Sequence, residues 1–496
     1  MDQFNQTLVS NVHPGDWVNP EPAAKYNLVV IGAGTAGLVA AAGAAGLGAK
    51  VALIEKHLMG GDCLNVGCVP SKCIIRSSRV AAEAREASQY GVKISSGAEA
   101  DFAAVMERMR RLRAGISHHD SVERFKSLGI DVFLGHAHFT GHDRAEVAGK
   151  ILRFKRALIA TGARAVTPPV EGLKEAGFLT NETIFSLTER PKHLTVFGAG
   201  PIGCEMAQAF RRLGSDVTII QKGPQFLSRE DPEAAQILYE AFKRDGIRIH
   251  LKTTVQKVTG SGKQKKIHIV TDGKSDVIEA DEILVGAGRA PNVEGLNLED
   301  AGVRHEKTGV IVNDYLQTTN PDIFAAGDIC LAYKFTHTAD ATARIVIQNA
   351  LFFKSKKLSS LIVPWCTYTD PEIAHVGMYE QEAVKRGIEV NTFKKPLKEV
   401  DRAIADGETE GFVKVHVKKG GDKILGATIV ARHAGEMISE ITLAMAAKVG
   451  LGTIAQVIHP YPTQAEAIKH VADAYNRTRL TPILKKLFST WLSWNR

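Results

Sequence analysis

Two cysteines, Cys63 and Cys68, are the residues of this chain whose spacing most directly indicates chemistry; they lie in GGDCLNVGCVPSK, residues 60–72. In a cytosolic protein such a pair is more often catalytic or metal-binding than structural. On an ideal helix the two side chains would point roughly 140° apart, so a disulfide needs an irregular turn, which Asn65 and Gly67 can provide. A redox-active pair is the favoured interpretation. Two buried cysteines, or half of a zinc site, are the alternatives, although the chain has no second cysteine pair to complete a zinc site.

The residues before this pair predict a fold that binds a nucleotide. A buried parallel strand is predicted at residues 26–31, followed by a glycine-rich turn, an alanine-rich helix and a second strand at residues 50–55. Three glycines allow the tight turn and let a pyrophosphate approach the helix N-terminus: Gly32, Gly34 and Gly37. Glu55, at the end of the second strand, would accept hydrogen bonds from a ribose. The cysteine pair therefore directly follows a predicted dinucleotide site.

The same pattern occurs a second time. A strand at residues 194–197 leads into a glycine turn, a helix and a strand at residues 216–220. The glycines of this turn are Gly198, Gly200 and Gly203. The acidic residue that ends the first unit is replaced here by Gln221, followed by Lys222. A carboxylate favours the ribose 2′-hydroxyl of NAD, whereas a nearby cation favours NADP. NADPH is the predicted second nucleotide; a solvated Lys222 without preference, which would also allow NADH, is the alternative.

Further elements surround these two units. Helices are predicted at residues 74–85 and 102–128, and short strands at residues 131–134 and 157–163. From Val363 onward, alternating apolar and polar residues predict an antiparallel sheet flanked by helices near residues 435–449 and 463–477.

Composition is that of an ordinary soluble globular protein. Of 496 residues, 44% are hydrophobic and 23% are charged, and the six cysteines do not indicate a secreted disulfide scaffold. Residues 1–22 lack the pattern of a signal peptide, and no apolar run is long enough to span a bilayer. The net charge of +8 comes with scattered Lys and Arg and no nucleic-acid module. Binding of an anionic cofactor explains this charge, and a generally basic surface without a function is the alternative. We expect a cytoplasmic protein that binds an anionic cofactor, without a nucleic-acid partner or a resident metal site.

With these parts in order, the chain resembles the pyridine nucleotide–disulfide oxidoreductases, the family of glutathione reductase, dihydrolipoamide dehydrogenase and mercuric reductase. The resemblance covers about residues 25–477. The segments that carry it are the first glycine turn, Cys63-x4-Cys68-x3-Lys72, Ala160-Thr161-Gly162, Gly198 to Gly203 with Glu205, Gly286 to Asn292, and Ala326-Gly327-Asp328.

This resemblance implies an α/β fold with two Rossmann-like dinucleotide-binding domains, one for FAD and one for NAD(P), plus a C-terminal α+β dimerisation domain. It also implies a homodimer. The expected division is an N-terminal arm at residues 1–24, the FAD-binding domain at 25–170 and 296–362, the NAD(P)-binding domain at 171–295, the dimerisation domain at 363–476 and an amphipathic basic tail at 477–496.

The resemblance also implies roles for matching residues. Hydride would pass from the nicotinamide to FAD, and the reduced flavin would open a Cys63–Cys68 disulfide, with Cys68 as the thiolate beside the flavin and Cys63 as the thiol that meets substrate. The implied catalytic residues are Cys63, Cys68, Lys72 paired with Glu205, and, from the other subunit, Tyr461 and Glu466. The implied cofactor-binding residues are Gly32, Gly34, Gly37, Glu55, Lys56, Gly61, Thr161, Gly162, Gly198, Gly200, Gly203, Lys222, Gly288, Arg289 and Asp328. Cys73 is predicted to be a small buried side chain that faces away from the flavin. The other three cysteines are predicted to be core residues: Cys204, Cys330 and Cys366.

The chain departs from the family pattern near its C-terminus. Disulfide reductases of this family carry His-Pro-Thr-x-x-Glu, in which the histidine shuttles protons for the interchange thiol. When this chain is aligned on Pro-Thr-x-x-Glu, Tyr461 occupies the position of the histidine, and His459 lies two residues upstream. Tyrosine, with a reference pKa of about 10 against about 6.5 for histidine, is a poor base at neutral pH. A proline follows each of the two residues and holds it extended, so His459 is not expected to take over.

Three features resemble the mercuric-reductase branch of the family: the tyrosine at this position, the run after Cys68 and the segment Arg229-Glu230-Asp231-Pro232. In that branch the substrate is a metal ion bound by thiolates, which needs no proton shuttle. The sequence contains no CxxC motif and no C-terminal cysteine pair, two usual parts of that branch. The predicted function is an NADPH-dependent flavoprotein reductase of a soft metal ion or another thiol-reactive electrophile. A dihydrolipoamide dehydrogenase or small-disulfide reductase is the alternative.

The tail is a separate feature. Between Thr481 and Trp494, apolar pairs four residues apart have lysines between them, which predicts an amphipathic helix with tryptophans. One interpretation is a helix that docks on the protein itself or across the dimer. The other is attachment to a membrane surface or to a partner, as in a redox sensor.

Overall fold

The computed structural model of the chain describes residues 1–94 and 99–496. These residues form two compact units. The first comprises residues 1–222 and 252–361, and the second comprises residues 223–251 and 362–496. Each unit has its own hydrophobic core.

A largely parallel sheet forms the centre of the first unit. Its strands are, in chain order, β1 (Tyr26–Ile31), β2 (Val51–Glu55), β3 (Asp131–Leu134), β4 (Ala137–Gly141), β5 (Arg144–Val147) and β6 (Lys150–Ile159). Strands β3, β2, β1 and β6 are parallel and lie in that order, and β5 and β4 continue the sheet as an antiparallel hairpin. Leu28 and Val30 of β1 point into one core, whereas Val29 and Ile31 point into another. Burial on both faces explains the continuous apolar run that predicted a parallel strand.

Helices connect these strands and carry the cysteine segment. They are α1 (Gln3–Val12), α2 (Thr35–Gly46), α3 (Gly61–Asn65), α4 (Cys68–Glu86), α5 (Phe102–Ser117) and α6 (Val122–Ser127). The single helical region predicted over residues 102–128 is interrupted at residues 118–121. Ser121 explains the interruption, because its hydroxyl accepts a hydrogen bond from the Arg124 amide at 3.2 Å and so begins a new helix.

The second dinucleotide-binding fold repeats the strand–turn–helix pattern. Its first elements are β7 (Ala163–Ala165), α7 (Leu173–Ala176), β8 (His193–Phe197), α8 (Pro201–Arg212) and β9 (Asp216–Ile220). Next along the chain, α9 (Pro232–Arg244) and β10 (Arg248–His250) belong to the second compact unit. The chain then returns to the first unit with β11 (Thr253–Thr259), β12 (Lys265–Thr271), β13 (Lys274–Ala280), β14 (Glu282–Val285) and β15 (Arg289–Pro291). Strands β9, β8 and β14 are parallel, and β11 to β13 form an antiparallel meander.

The last part of the first unit returns to the first sheet. Its elements are β16 (His305–Glu306), β17 (Gly309–Val310), β18 (Ile323–Ala325) and α10 (Thr336–Leu351). Strand β18 adds to the first sheet in parallel with β6, so residues 326–336 come to the carboxyl edge of its strands. That edge is where ligands bind in open α/β sheets.

The second unit contains the predicted antiparallel sheet, with strand order β19-β20-β23-β22-β21. Its remaining elements are β19 (Pro364–Thr367), β20 (Glu372–Gly377), α11 (Glu380–Lys385), β21 (Val390–Pro396), α12 (Asp401–Ala405), β22 (Phe412–Lys418), β23 (Ile424–Ala431), α13 (Ala434–Ala446), α14 (Leu451–Ile454), α15 (Glu466–Arg479) and α16 (Pro482–Trp494). Helix α13 packs on β20 and β23, and α15 packs on β21 and β22. Among the described residues, no helix combines the length and apolar character needed to cross a membrane.

Candidate active site

A break between two helices positions the cysteine pair. Helix α3 ends at Asn65 and α4 begins at Cys68. Asn65 holds the break, because its side-chain amide donates to the carbonyls of Met59 at 3.0 Å and Gly61 at 2.9 Å. Glycine is required at position 67, where a Cβ would lie 2.7 Å from the Asp62 carbonyl oxygen. The irregular turn predicted at Asn65 and Gly67 is therefore present.

The two thiols are electrostatically unequal. The pKa of Cys68 is lowered to about 6 by a hydrogen bond from the Cys63 thiol, by the Thr336 hydroxyl and by the charge of Lys72, against the opposing effect of burial. The pKa of Cys63 is raised, chiefly by its hydrogen bond to Cys68 and by burial. At neutral pH the favoured state is thus a Cys68 thiolate that accepts a hydrogen bond from a Cys63 thiol. Cys68 is therefore the thiol of the pair that ionises first.

Thr336 is a member of the site that sequence reasoning missed. Its hydroxyl lies 3.3 Å from the Cys68 sulfur, although 268 positions separate the two residues. Thr336 is the first residue of α10, so the positive end of that helix also lies beside the pair. The signal available in the sequence was the Ala326-Gly327-Asp328 motif, since the strand before this motif joins the same sheet and brings the following residues to the cysteine segment.

Lys72 and Glu205 form an ion pair of 2.8 Å between α4 and α8. The Glu205 side chain is 6% exposed, while that of Lys72 is 38% exposed. The ion pair joins an exposed face of α4 to the buried side of α8. The structure therefore brings together the lysine and the glutamate that the sequence predicted as a pair.

The first glycine turn has the shape that a pyrophosphate requires. Gly32 has φ +104°, and a Cβ there would lie 2.4 Å from the Ala160 carbonyl oxygen. A Cβ on Gly37 would lie 1.8 Å from the carbonyl oxygen of Gly32, so this position also requires glycine. Gly34 precedes the first residue of α2, and a Cβ there would meet only Gly61, at 3.8 Å. The backbone is thus open at the helix N-terminus, where amide groups bind phosphate.

Glu55 closes this turn from the end of β2. Its carboxylate accepts hydrogen bonds from the amides of Ala33 at 2.7 Å and His57 at 2.8 Å. Since a carboxylate can accept about four hydrogen bonds, it can still accept from a ribose hydroxyl. The neighbouring Lys56 is exposed. These residues fit the adenosine end of FAD.

Charged residues from three segments meet at the other end of this site. Arg289 forms an ion pair with Asp62, and its Nε lies 3.5 Å from the carboxylate of Asp328. Burial raises the pKa of Asp328, while Arg289 and Lys334 oppose that effect. The Lys334 ammonium donates to the Asp328 carbonyl at 2.6 Å. Asp328 is thus held at the carboxyl edge of the first sheet, as a ligand of the ribityl–pyrophosphate region would be.

The Ala160-Thr161-Gly162 motif is joined to the later glycine motif by backbone and side-chain hydrogen bonds. The Thr161 hydroxyl donates to the Asn292 carbonyl at 2.9 Å, and the Asn292 side chain donates back to the Thr161 carbonyl at 2.9 Å. Gly162 and Gly288 have positive φ values of +69° and +118°. In this structure Thr161 and Gly162 therefore shape the junction between the two dinucleotide folds.

The second glycine turn has the same construction with one different residue. Gly198 has φ +101°, and a Cβ at Gly203 would lie 2.3 Å from the Gly198 carbonyl oxygen. Gly200 precedes α8 and has nothing within 4 Å of a Cβ position. The Gln221 side-chain oxygen accepts from the Ala199 amide at 3.1 Å, just as Glu55 does in the first fold. An uncharged amide therefore replaces the carboxylate, and the adjacent residue, Lys222, is exposed.

The residues predicted from the family's C-terminal motif lie in the second compact unit. Tyr461 is 70% exposed, and its hydroxyl donates to Asp401 at 3.0 Å, which raises its pKa. The His459 side chain is 5% exposed, and its ring nitrogens lie 3.0 Å from Glu440 and 3.2 Å from the Val457 carbonyl. Glu466 is the first residue of α15. Both nitrogens of the histidine are thus engaged, while the tyrosine is exposed and stays protonated.

The other cysteines differ from the prediction in one respect. Cys204 is fully buried, as predicted. Cys330 and Cys366 are partly buried and pack against hydrophobic cores. The prediction of a buried side chain is wrong for Cys73, which is half-buried and lines an open cavity of about 410 Å³ with Cys68, Lys72 and Arg108. The neighbour of Cys73 on this side is a charged side chain, because Arg108 of α5 donates to the Cys73 carbonyl at 3.1 Å.

Comparisons with known proteins agree with this geometry. A model of the pyridine nucleotide-disulphide oxidoreductase family matches residues 26–343, and a model of its dimerisation domain matches residues 363–472. The chain is 38% identical to a mercuric reductase of Staphylococcus aureus, over 91% of this chain and 83% of that protein. It is 34% identical to a dihydrolipoyl dehydrogenase of Chlamydia muridarum, over 89% of this chain and 95% of that protein.

Solved structures give the same result. The HOCl-induced flavoprotein disulfide reductase RclA of Escherichia coli superposes with a TM-score of 0.81 at 27% identity, over 90% of this chain and 99% of that chain. A Cu(II) complex of RclA matches with a TM-score of 0.80 at 27% identity, over 89% of this chain and 98% of that chain.

The chain belongs to the pyridine nucleotide-disulphide oxidoreductase family. The family and the fold class predicted from the sequence, two Rossmann-like dinucleotide-binding domains plus an α+β dimerisation domain, are confirmed. Members of the family are FAD-dependent and use NAD(P)H, so this protein is a flavoprotein oxidoreductase. The dimerisation domain supports the expected homodimer.

Proposed function

We propose that this protein passes two electrons from NADPH, by way of FAD and the Cys63–Cys68 pair, to a soft metal ion or another thiol-reactive electrophile. The observation that carries this proposal is the pairing of an intact thiol–thiolate centre with Tyr461 at the position of the family's proton-carrying histidine. The hydrogen bond to Asp401 raises the pKa of Tyr461, so even less of the ionised, proton-accepting form is present at neutral pH. His459, held by Glu440, does not supply the missing proton carrier.

The chemistry of such an acceptor suits the cysteine pair. Reduction of a disulfide substrate must deliver protons to the thiols that are released, and a histidine normally carries them. A soft metal ion is instead bound by thiolates, which are its preferred ligands. In the balanced reaction, NADPH and M²⁺ give NADP⁺, H⁺ and the zero-valent metal, and both sulfur–metal bonds break. FAD supplies the hydride acceptor that connects the nicotinamide to the thiols.

Two comparisons support a metal ion as the acceptor. The 38% identical relative from Staphylococcus aureus is a mercuric reductase. RclA of Escherichia coli forms a Cu(II) complex.

The second glycine turn supports NADPH as the electron donor. At the position where Glu55 contacts the first turn, Gln221 presents an amide that does not repel a phosphate. The exposed ammonium of Lys222 is the next residue and is available to a 2′-phosphate.

The proposal is tested by anaerobic oxidation of NADPH with Hg(II) in excess small thiol, together with trapping of elemental mercury. We expect metal-dependent oxidation well above the diaphorase rate, with mercury released in proportion to NADPH consumed. Cys63→Ser and Cys68→Ser are the matched controls, because each should lose the metal-dependent rate while its flavin still reduces a dye acceptor. A wild-type rate no greater than that of Cys63→Ser would contradict the proposal.

A second candidate is a dihydrolipoamide or small-disulfide oxidoreductase. Three residues of that chemistry are in place, Cys63, Cys68 and Glu466, and a 34% identical relative is a dihydrolipoyl dehydrogenase. The assay is the reduction of NAD by dihydrolipoamide, in wild type and in Tyr461→His. If the tyrosine is what limits disulfide exchange, the histidine variant should be at least about tenfold faster, as expected for restored general acid–base catalysis. High wild-type activity that the substitution leaves unchanged would favour this second function.

A further inference from the structure

The C-terminal helix α16 has two chemically distinct halves. With 3.6 residues per turn, all seven apolar residues between Ile483 and Trp494 fall within about half of the helix circumference. The other half contains Lys485, Lys486, Ser489, Thr490 and Ser493. Lys485 lies at one border of this polar half, next to Leu492, and Lys486 lies within it.

The apolar half of α16 faces solvent. Every residue of the helix is exposed, including Leu487 at 62%, Trp491 at 63% and Trp494 at 79%. A continuous apolar surface with two tryptophans is unusual on a free protein surface and normally marks an interaction site. The family's dimerisation model ends at residue 472, before this helix begins. The helix is therefore an additional feature beyond the region that the family model describes.

Charge indicates what covers this surface. After Asp473 the chain contains five basic residues and no acidic residue: Arg477, Arg479, Lys485, Lys486 and Arg496. A second copy of the helix would bring its own lysines against these, which opposes self-association. Anionic headgroups are complementary to such a segment, at about 1 kcal/mol for each basic residue near the surface. Tryptophan side chains, with an apolar ring and one N–H donor, favour the same interfacial depth.

We propose that α16 binds the surface of an anionic phospholipid bilayer and lies in the plane of the interface. Its 13 residues span about 20 Å, too short to cross the hydrocarbon core. The apolar half enters the boundary between headgroups and acyl chains, and Lys485 and Lys486 contact the phosphates. The flavoprotein is thereby held at a membrane surface, whatever its electron acceptor is.

Vesicle co-sedimentation of the holoenzyme tests this proposal. Full-length protein and a chain ending at Arg479 are compared on phosphatidylglycerol–phosphatidylcholine vesicles and on pure phosphatidylcholine vesicles. We expect the full chain alone to bind the anionic vesicles, binding to weaken with salt, and the fluorescence of Trp491 and Trp494 to shift to shorter wavelength. Equal dye-reductase activity and flavin content in both chains show that the truncated protein is folded.

Two full-length variants separate the apolar contact from charge alone. Leu487→Glu and Ser493→Glu add the same negative charge to opposite halves of the helix. Ser493→Glu should weaken partitioning roughly fivefold, the effect of one charge, whereas Leu487→Glu should weaken it roughly fiftyfold, because the burial of a leucine is lost as well. Equal losses in the two variants would overturn the interfacial arrangement.

Other occupants of the surface give different results. If the full chain binds vesicles no better than the truncated chain, the proposal fails. If, in addition, truncation lowers the oligomeric state in analytical ultracentrifugation, a second copy covers the helix. These outcomes do not affect the proposed reduction of metal ions, which is assayed without lipid.

Discussion

The hydroxyl of Thr336 should control the protonation of Cys68. Thr336→Val keeps the shape of the side chain and removes the hydrogen-bonding group that lies 3.3 Å from the sulfur. A hydrogen bond to a charged group contributes about 1.5–3 kcal/mol, and one pKa unit corresponds to about 1.4 kcal/mol. Since part of Cys68 is open to water, which screens the interaction, we expect the lower end of that range.

The expected change is a pKa for Cys68 that is higher by about one unit than the value of about 6 in the wild type. At pH 7 the thiolate fraction would fall from roughly nine-tenths to about one half. The measurement is the ultraviolet absorbance of the thiolate in the reduced holoenzyme as a function of pH, with the rate of iodoacetamide alkylation as a second readout.

Thr336→Ser is the matched control for this experiment. The serine hydroxyl can make the same hydrogen bond, so its titration should follow that of the wild type. If valine leaves the midpoint unchanged, the hydroxyl does not stabilise the thiolate. If serine shifts the midpoint as much as valine does, the effect comes from packing and the reasoning is refuted.

Four further results are expected. Because the pKa of Cys68 is lowered to about 6, the metal-dependent rate should rise as pH increases through this value and level off above pH 7, and a flat profile from pH 5 would contradict this. Gln221→Glu should lower the ratio of kcat/KM for NADPH over NADH by at least about tenfold, since a carboxylate repels the 2′-phosphate; an unchanged ratio would remove the amide from cofactor selection. In a urea titration, Gly67→Ala should lower the free energy of unfolding by about 1–3 kcal/mol, because the added Cβ would contact the Asp62 carbonyl. Gly115→Ala in α5 is the control; since its Cβ would enter open space, this variant should be as stable as the wild type or more stable. Tyr379→Phe removes the hydroxyl that donates to the buried Glu230 at 2.7 Å and should cost about 1–3 kcal/mol, so a variant as stable as the wild type would show that water replaces this donor.

Local patterns made the two nucleotide-binding turns predictable from sequence. A strand, a glycine turn and a helix are adjacent in the chain, and the contacts of Gly32 with Gly37 and of Gly198 with Gly203 occur within six residues. The irregular turn at Gly67 was predictable for the same reason, because the spacing of the cysteines demands it. The carbonyl of Asp62 that makes glycine necessary there lies only five residues away.

Contacts between distant segments were beyond such reasoning. Thr336 reaches Cys68 across 268 positions, and Arg289 reaches Asp62 across 227. The sequence around Thr336 and around Arg289 contains no local pattern that indicates which distant residue each one contacts. The error at Cys73 has a related cause, because the general tendency of free cysteines to be buried does not show which side chains surround a particular one.

The structure adds contacts that the sequence of the C-terminal motif does not indicate. The sequence indicated that His459 would not replace Tyr461, on the ground that prolines hold both residues extended. The structure adds a separate reason, since Glu440 and the Val457 carbonyl engage both nitrogens of the histidine. That glutamate lies in α13, 19 residues upstream, and no spacing rule relates it to the motif.

The ion pair between Lys72 and Glu205 links the two nucleotide-binding folds thermodynamically. Glu205 lies in the second turn of α8, whose N-terminus forms the NAD(P) turn, while Lys72 lies one helical turn after Cys68 in α4. Both charges act on Cys68, the lysine lowering its pKa and the glutamate raising it. A nucleotide that shifts α8 would therefore change the proton affinity of a sulfur in the other fold. By reciprocity, the protonation state of that sulfur must change the affinity for the nucleotide by the same factor. The affinity of the enzyme for its electron donor therefore depends on the protonation state of the thiol that receives the electrons.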